Sequence, residues 1–225
     1  MVCKTLFVTG TDTGVGKTLI SAAVLHHLGR HHARVVGMKP VAAGLIEHQG
    51  ATVSEDVLML RAASSLPVPA ELDNPVALPD PLSPHLAARR AGRSVRVADL
   101  LAPARRLQAM ADALLVEGAG GWRVPLNDDE TLADLAAALG APVLLVVGMR
   151  LGCLNHALLT AEAIRRDGLM LAGWVANRID RDMACFDENL ATLQSRLQAP
   201  LWGVVPWCDQ PDPARIALEL PKDFQ

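Results

Sequence analysis

The stretch Gly10-Thr11-Asp12-Thr13-Gly14-Val15-Gly16-Lys17-Thr18 limits what this chain can fold into more than any other. It follows the apolar run Leu6-Phe7-Val8 and opens a segment where Leu19, Ile20, Ala23 and Val24 recur on one side of a helix. A strand, a turn of small residues and a helix, in that order, make the setting of a P-loop. Polyphosphate needs many converging amide donors, which small residues present without a Cβ clash, and the helix N-terminus adds partial positive charge. Lys17 then neutralises the β- and γ-phosphates, and Thr18 places its hydroxyl on Mg²⁺. Measured against G-x-x-x-x-G-K-[ST], the segment Thr11 to Thr18 begins with Thr in place of Gly, so the match is a variant.

The rest of the chain repeats the alternation. Apolar runs at Leu6–Val8, Val35–Val36, Leu114–Val116, Val143–Val147, Leu171–Ala176 and Leu201–Val205 suit strands buried on both faces. Helical periods are predicted at Lys17–Leu28, Asp56–Ala63, Val97–Met110, Leu132–Leu139, His156–Arg166 and Cys185–Leu197. Strand then helix, repeated, reads as α/β: a single P-loop NTPase domain over residues 1–225, with a mostly parallel sheet and helices on both faces. Leu66 to Pro84 breaks the rhythm with Pro67, Pro69, Pro75, Pro79, Pro81 and Pro84. It reads as a stiff excursion, because neither side of it supplies a complete sheet.

Further acids and a lysine fall where a phosphate site needs them. Leu114-Leu115-Val116-Glu117 is an apolar strand ending in a carboxylate, the Walker-B arrangement, and Gly118-Ala119-Gly120-Gly121 lets a ligand approach the backbone. Asp56 is a second candidate metal ligand, and spacing alone leaves it equally open to serving the helix dipole. Lys39, before Pro40, falls at the same sheet edge and suits a clamp on developing negative charge.

Composition excludes several other classes. A net charge of −3 argues against binding nucleic acid by phosphate neutralisation, and an aromatic share of 3% against stacking single strands. Cys3, Cys153, Cys185 and Cys208 form no C-x-x-C pair, which points to neither a zinc cage nor a disulfide framework and to a reducing compartment. The short apolar run before Thr9 is too brief for a signal or membrane segment, so cytoplasmic residence is expected.

The blocks Gly10–Thr18, Lys39-Pro40-Val41, Val116–Trp122, Leu151-Gly152-Cys153-Leu154-Asn155-His156-Ala157 and Gly173-Trp174-Val175-Ala176-Asn177 together resemble dethiobiotin synthetase, in family order along nearly the whole chain. The resemblance implies ATP- and Mg²⁺-dependent insertion of CO₂ between the two amines of 7,8-diaminopelargonate, through a carbamate and its phosphorylated form. It makes Lys39 the catalytic lysine beside Lys17, and sets Thr13 near the carbamate. Thr18, Asp56 and Glu117 are then the metal positions. Gly14, Val15, Gly16, Leu19, Gly118, Ala119 and Gly120 belong to the nucleotide site, where Asn177 reads the base and Pro206 closes over it. Ala43, Leu151, Gly152, Cys153 and Asn155 border the diamine, the last four partly from the second subunit of a homodimer.

Two departures stand out. Ala43 replaces a small hydroxyl residue, which removes one hydrogen bond worth about 1 kcal/mol. The tyrosine that relatives offer to the substrate carboxylate has no counterpart, and Asn189 aligns with it. Asn177-Arg178-Ile179-Asp180 resembles N-K-x-D, which suggests some tolerance of GTP. A P-loop switch or partitioning ATPase is the alternative class, but the extra early lysine of such proteins is absent at Asp12 and Thr13. A small-molecule kinase would need an arginine-rich lid, and Leu66 to Pro84 holds no arginine. His26, His27, His31 and His32 read as a solvated helix end, Cys153 as a packing residue, and Trp207 as equally a border of the base or a packing side chain.

Overall fold

The computed structural model describes residues 3–224. β1 (Lys4–Gly10) leads through the phosphate loop into α1 (Lys17–Leu28) and β2 (Val35–Met38). β3 (Val41–Ala43), the hairpin strands β4 (Ile46–His48) and β5 (Ala51–Val53), and α2 (Glu55–Ala63) follow. The proline-rich stretch carries α3 (Ala70–Asp73), β6 (Val76–Leu78) and the start of α4 (Pro84–Arg90). Then come α5 (Val97–Met110), β7 (Ala113–Glu117), α6 (Leu132–Leu139), β8 (Val143–Met149), α7 (Cys153–Arg166), β9 (Leu171–Arg178), α8 (Phe186–Arg196) and β10 (Leu201–Val205).

Six strands form one parallel sheet in the order β10-β9-β8-β1-β7-β2. Alternation along each strand sorts side chains into two apolar layers. Leu6 and Val8 of β1 and Leu115 of β7 join Ile20, Val24 and Leu25 of α1 on one face. Phe7, Leu114 and Val116 join Leu100, Leu107, Leu135 and Ile164 of α5, α6 and α7 on the other. The central position of β1 brings the loop after it between the carboxyl ends of β7 and β8, the edge where ligands of open α/β sheets collect.

The helix at His156–Arg166 starts earlier than its periodicity predicts, at Cys153, because Gly152 takes a left-handed turn (φ 93) that launches it. α8 loses one residue at each end relative to Cys185–Leu197, with Cys185 itself at φ 52. The largest difference is the proline-rich excursion. Its prolines sit at boundaries, so α3 fits between Pro69 and Pro75, and β6 pairs in parallel with β3 outside the main sheet. Leu72, Val76 and Leu78 bury into the core and fix the excursion there.

Candidate active site

The phosphate loop is braced from the neighbouring strands. Gly148 at the end of β8 donates its N–H to Thr11 Oγ1 at 3.3 Å, and Asn177 Nδ2 at the end of β9 donates to the Val15 carbonyl at 2.9 Å. Gly16 stands at φ 84, and a Cβ on it would collide with the Asn177 amide. Glycine is required there by backbone hand and by space together.

Lys17 opens α1 and is buried, its Nζ donating to the Asp12 carbonyl at 2.9 Å. Burial, and then the nearby charge of Lys39, push its pKa from 10.5 down to about 8. One residue on, the Thr18 hydroxyl lies 2.8 Å from Asp56 Oδ1 and 2.9 Å from Glu117 Oε1. With a single proton it donates to one carboxylate at a time.

Lys39 completes this cluster from the end of β2. Its Nζ lies 2.6 Å from Glu117 Oε1, 2.7 Å from Asp56 Oδ2 and 3.2 Å from the Gly118 carbonyl. Burial opposes the Lys39 charge, but the charges of Glu117 and Asp56 outweigh it and raise its pKa. Burial likewise works against ionised Asp56, and the Lys39 charge and hydrogen bond hold its pKa below the usual carboxylate range. Glu117 is fully buried, and its second oxygen, Oε2, has no hydrogen-bond partner.

Lys17, Thr18, Lys39 and Asp56 face a cleft of about 800 Å³, and Glu117 lies behind them. Thr13, Gly14, Gly16, Lys17, Thr18, Lys39, Ala43 and Asp56 line one part, and Ala119 and Gly120 another. Pro81, Leu82, Ser83 and Pro84 close it from across, a contribution of the proline-rich excursion that sequence reasoning missed. Gly118 lies beside the cleft through its carbonyl contact with Lys39.

The remaining candidates lie farther out. Pro206, with Arg178, Arg181 and Trp207, borders a separate recess of about 570 Å³ beyond the end of β9. Asp180 is not among the residues that line it, and its Oδ1 accepts the N–H of Asp182 at 3.0 Å. Asn189 turns back on its own helix and donates to the Cys185 carbonyl at 2.7 Å. Leu151, Gly152, Cys153 and Asn155 do not line the cleft; Cys153 is buried, whereas Leu151 is 94% exposed at the tip of the turn before α7. That turn nevertheless touches the phosphate loop through an ion pair, Arg150 to Asp12 Oδ2 at 2.6 Å. No local signal in the sequence pairs those two residues.

Among the described residues no three His, Cys, Asp or Glu side chains gather as a metal group, and at the end of α1 the rings of His27 and His31 pack against each other. The donors that do converge are one hydroxyl and two carboxylates. An all-oxygen set of this kind, with one buried carboxylate oxygen unpartnered, suits a hard divalent cation such as Mg²⁺.

A family model described as an AAA domain matches residues 4–215. The chain is 51% identical over 214 residues to the ATP-dependent dethiobiotin synthetase BioD of Aromatoleum aromaticum, covering 95% of each. It is 53% identical over 203 residues to the protein of that description from Cellvibrio japonicus, covering 90% of this chain and 89% of the relative. Among solved structures, a ParA family ATPase from Chlorobium tepidum TLS superposes with a TM-score of 0.57 at 15% identity, covering 92% of this chain and 85% of that one. Chloroplast FtsY from Physcomitrella patens gives 0.58 at 16% identity, covering 97% and 62%. At such identities these two likenesses show the fold alone.

Proposed function

The chain belongs to the ATP-dependent dethiobiotin synthetase family, and from that membership we propose how its cleft carries out the reaction. The enzyme is a ligase of biotin biosynthesis that converts 7,8-diaminopelargonate, CO₂ and ATP to dethiobiotin, ADP and phosphate.

One amine of the diamine adds to CO₂ and loses a proton, giving a carbamate. A carbamate oxygen attacks the γ-phosphorus and ADP leaves. The second amine then attacks the carbonyl carbon, the bond to the phosphate oxygen breaks, and a proton departs as the ring closes. Both intermediates, the carbamate and its phosphorylated form, are anionic, so the catalytic demand is for fixed positive charge and N–H donors in a small volume.

The loop from Thr13 to Leu19 holds the polyphosphate, with Lys17 against its β- and γ-oxygens. Lys39 moves from the carboxylates to the carbamate and the transferring phosphoryl group, and Thr13 hydrogen-bonds the carbamate. Gly118, Ala119 and Gly120 admit the nucleotide close to the backbone, Asn177 and Pro206 hold the base, and Ala43 borders the diamine. Thr18, Asp56 and Glu117 would hold Mg²⁺, which neutralises phosphate charge when bound.

The observation that carries this reading is the convergence of Lys39, Asp56, Glu117 and Thr18 beside the phosphate loop, all within 2.6 to 2.9 Å of a neighbour in the set. We further propose that the chain acts as one domain and as a cytoplasmic homodimer. The exposed Leu151 supports the dimer, in which Leu151, Gly152, Cys153 and Asn155 receive the diamine's carboxylate across the subunit boundary. Among the described residues no helix is long and apolar enough to cross a membrane.

Incubation with diaminopelargonate, bicarbonate and MgATP should yield dethiobiotin and phosphate in equal amounts, and Lys39→Ala should slow both together on the order of 100- to 1,000-fold. ATP loss without dethiobiotin would move the assignment to a nucleotide switch.

A further inference from the structure

Asp12 is an acid within a loop whose task is to hold polyphosphate, a placement that by itself repels the ligand. Each of its oxygens is engaged. The backbone carbonyl accepts Lys17 Nζ at 2.9 Å, Oδ1 accepts the Thr13 N–H at 2.7 Å, and Oδ2 accepts the Arg150 guanidinium at 2.6 Å. Arg150 in turn closes the turn ahead of α7, its carbonyl accepting the Cys153 N–H at 3.0 Å. Asp12 therefore touches the phosphate-binding lysine on one side and, on the other, Arg150, which leads into the turn at 151–152 and the first residues of α7.

Both side chains are nearly half exposed, 45% for Arg150 and 44% for Asp12, and a pair of that kind adds little to folding stability. The single charged hydrogen bond from the guanidinium to Oδ2 does tie the two segments together, and it offsets the Asp12 charge before an anion arrives. Phosphoryl transfer requires donor and acceptor within about 3–3.5 Å of each other and in line, so a small drift between the two loops is costly in rate.

We infer that Arg150 is a positioning residue: through Asp12 it locks the phosphate loop to the turn at residues 151–155, so that nucleotide and diamine bind with positive coupling. Polyphosphate draws the Lys17 ammonium from the Asp12 carbonyl, and the resulting adjustment of Asp12 passes to the turn through the guanidinium. The inference rests on the reading of that turn as the diamine's carboxylate site.

The test measures binding of β,γ-methylene ATP with Mg²⁺ by calorimetry, with and without diaminopelargonate and in the absence of bicarbonate. In the wild type the diamine should tighten nucleotide binding about tenfold. Arg150→Ala should bring that factor to about one and lower kcat about tenfold, with an unchanged melting temperature. Arg150→Lys should keep most of the coupling. Asp12→Asn retains an oxygen for the Thr13 N–H, should match Arg150→Ala, and should add nothing further when combined with it. Wild-type independence of the two ligands overturns the inference, as does full coupling in Arg150→Ala, or a loss that merely follows a lowered melting temperature. In each of those cases dethiobiotin formation by the wild type still stands, whereas its failure would sink the functional reading itself.

Discussion

Lys39 Nζ lies 2.6 Å from Glu117 Oε1, and both residues are withdrawn from solvent at the carboxyl edge of adjacent parallel strands. The contact offsets part of what each side chain loses by leaving water, and Asp56, 2.7 Å from the same ammonium, adds to it. The pair keeps a cation ready beside the phosphate loop.

Replacing Lys39 by Ala leaves Glu117 buried without its counter-charge. Chemical denaturation should register a loss of about 3 kcal/mol, and turnover measured on the folded fraction should fall on the order of 100- to 1,000-fold. Wild-type kcat in that variant would remove Lys39 from the reaction.

Lys17 sets a pH dependence. Its folded pKa of about 8 lies below its ordinary 10.5, so the protonated lysine costs the free protein about 3 kcal/mol below pH 8. That cost disappears as the pH rises from 8 toward 10.5, because the unfolded chain binds more protons across that window. Bound polyphosphate favours the ammonium, so ATP binding should take up a proton above pH 8 and weaken by up to tenfold per pH unit. Calorimetry in buffers of different ionisation enthalpy reads the proton uptake directly, and a flat affinity from pH 7 to 9.5 would contradict it.

Gly16→Ala combines a left-handed backbone with a collision against Asn177. Nucleotide affinity should drop at least tenfold, and the melting temperature should fall with a cost of about 2 kcal/mol. Calorimetric titration and a thermal melt of one preparation separate the two effects.

Ala43→Ser places a hydroxyl on the cleft wall. A gained hydrogen bond of about 1 kcal/mol should lower KM for the diamine roughly fivefold without a change in KM for ATP. Steady-state kinetics with each substrate varied in turn provide the check.

Gly173→Ala probes the scaffold away from the cleft. A Cβ there would enter the indole of Trp202, a buried residue of the neighbouring strand β10. Stability should fall by about 3 kcal/mol while the folded enzyme keeps its KM values. A change in KM for ATP at low temperature would show that the sheet edge and the site are linked.

Much of this fold is written locally. Runs of apolar residues set six strands, helical period sets α1, α5 and α6 to their observed ends, and the order of small residues, lysine and threonine after β1 sets a phosphate loop, because backbone hydrogen bonding and side-chain periodicity act over a few residues. The elements missed are short and lean on the rest for support: α3 and β6 exist only because Leu72, Val76 and Leu78 find a core to enter. The sequence left Asp56 open between a helix-start acid and a ligand, and the tertiary structure sets it 2.7 Å from Lys39. Likewise, nothing local joins Arg150 to Asp12, Asn177 to Val15 or Ser83 to the cleft. Those meetings follow from the strand order and register that seat β1 between β7 and β8, and such distances belong to the packed sheet rather than to any stretch of chain.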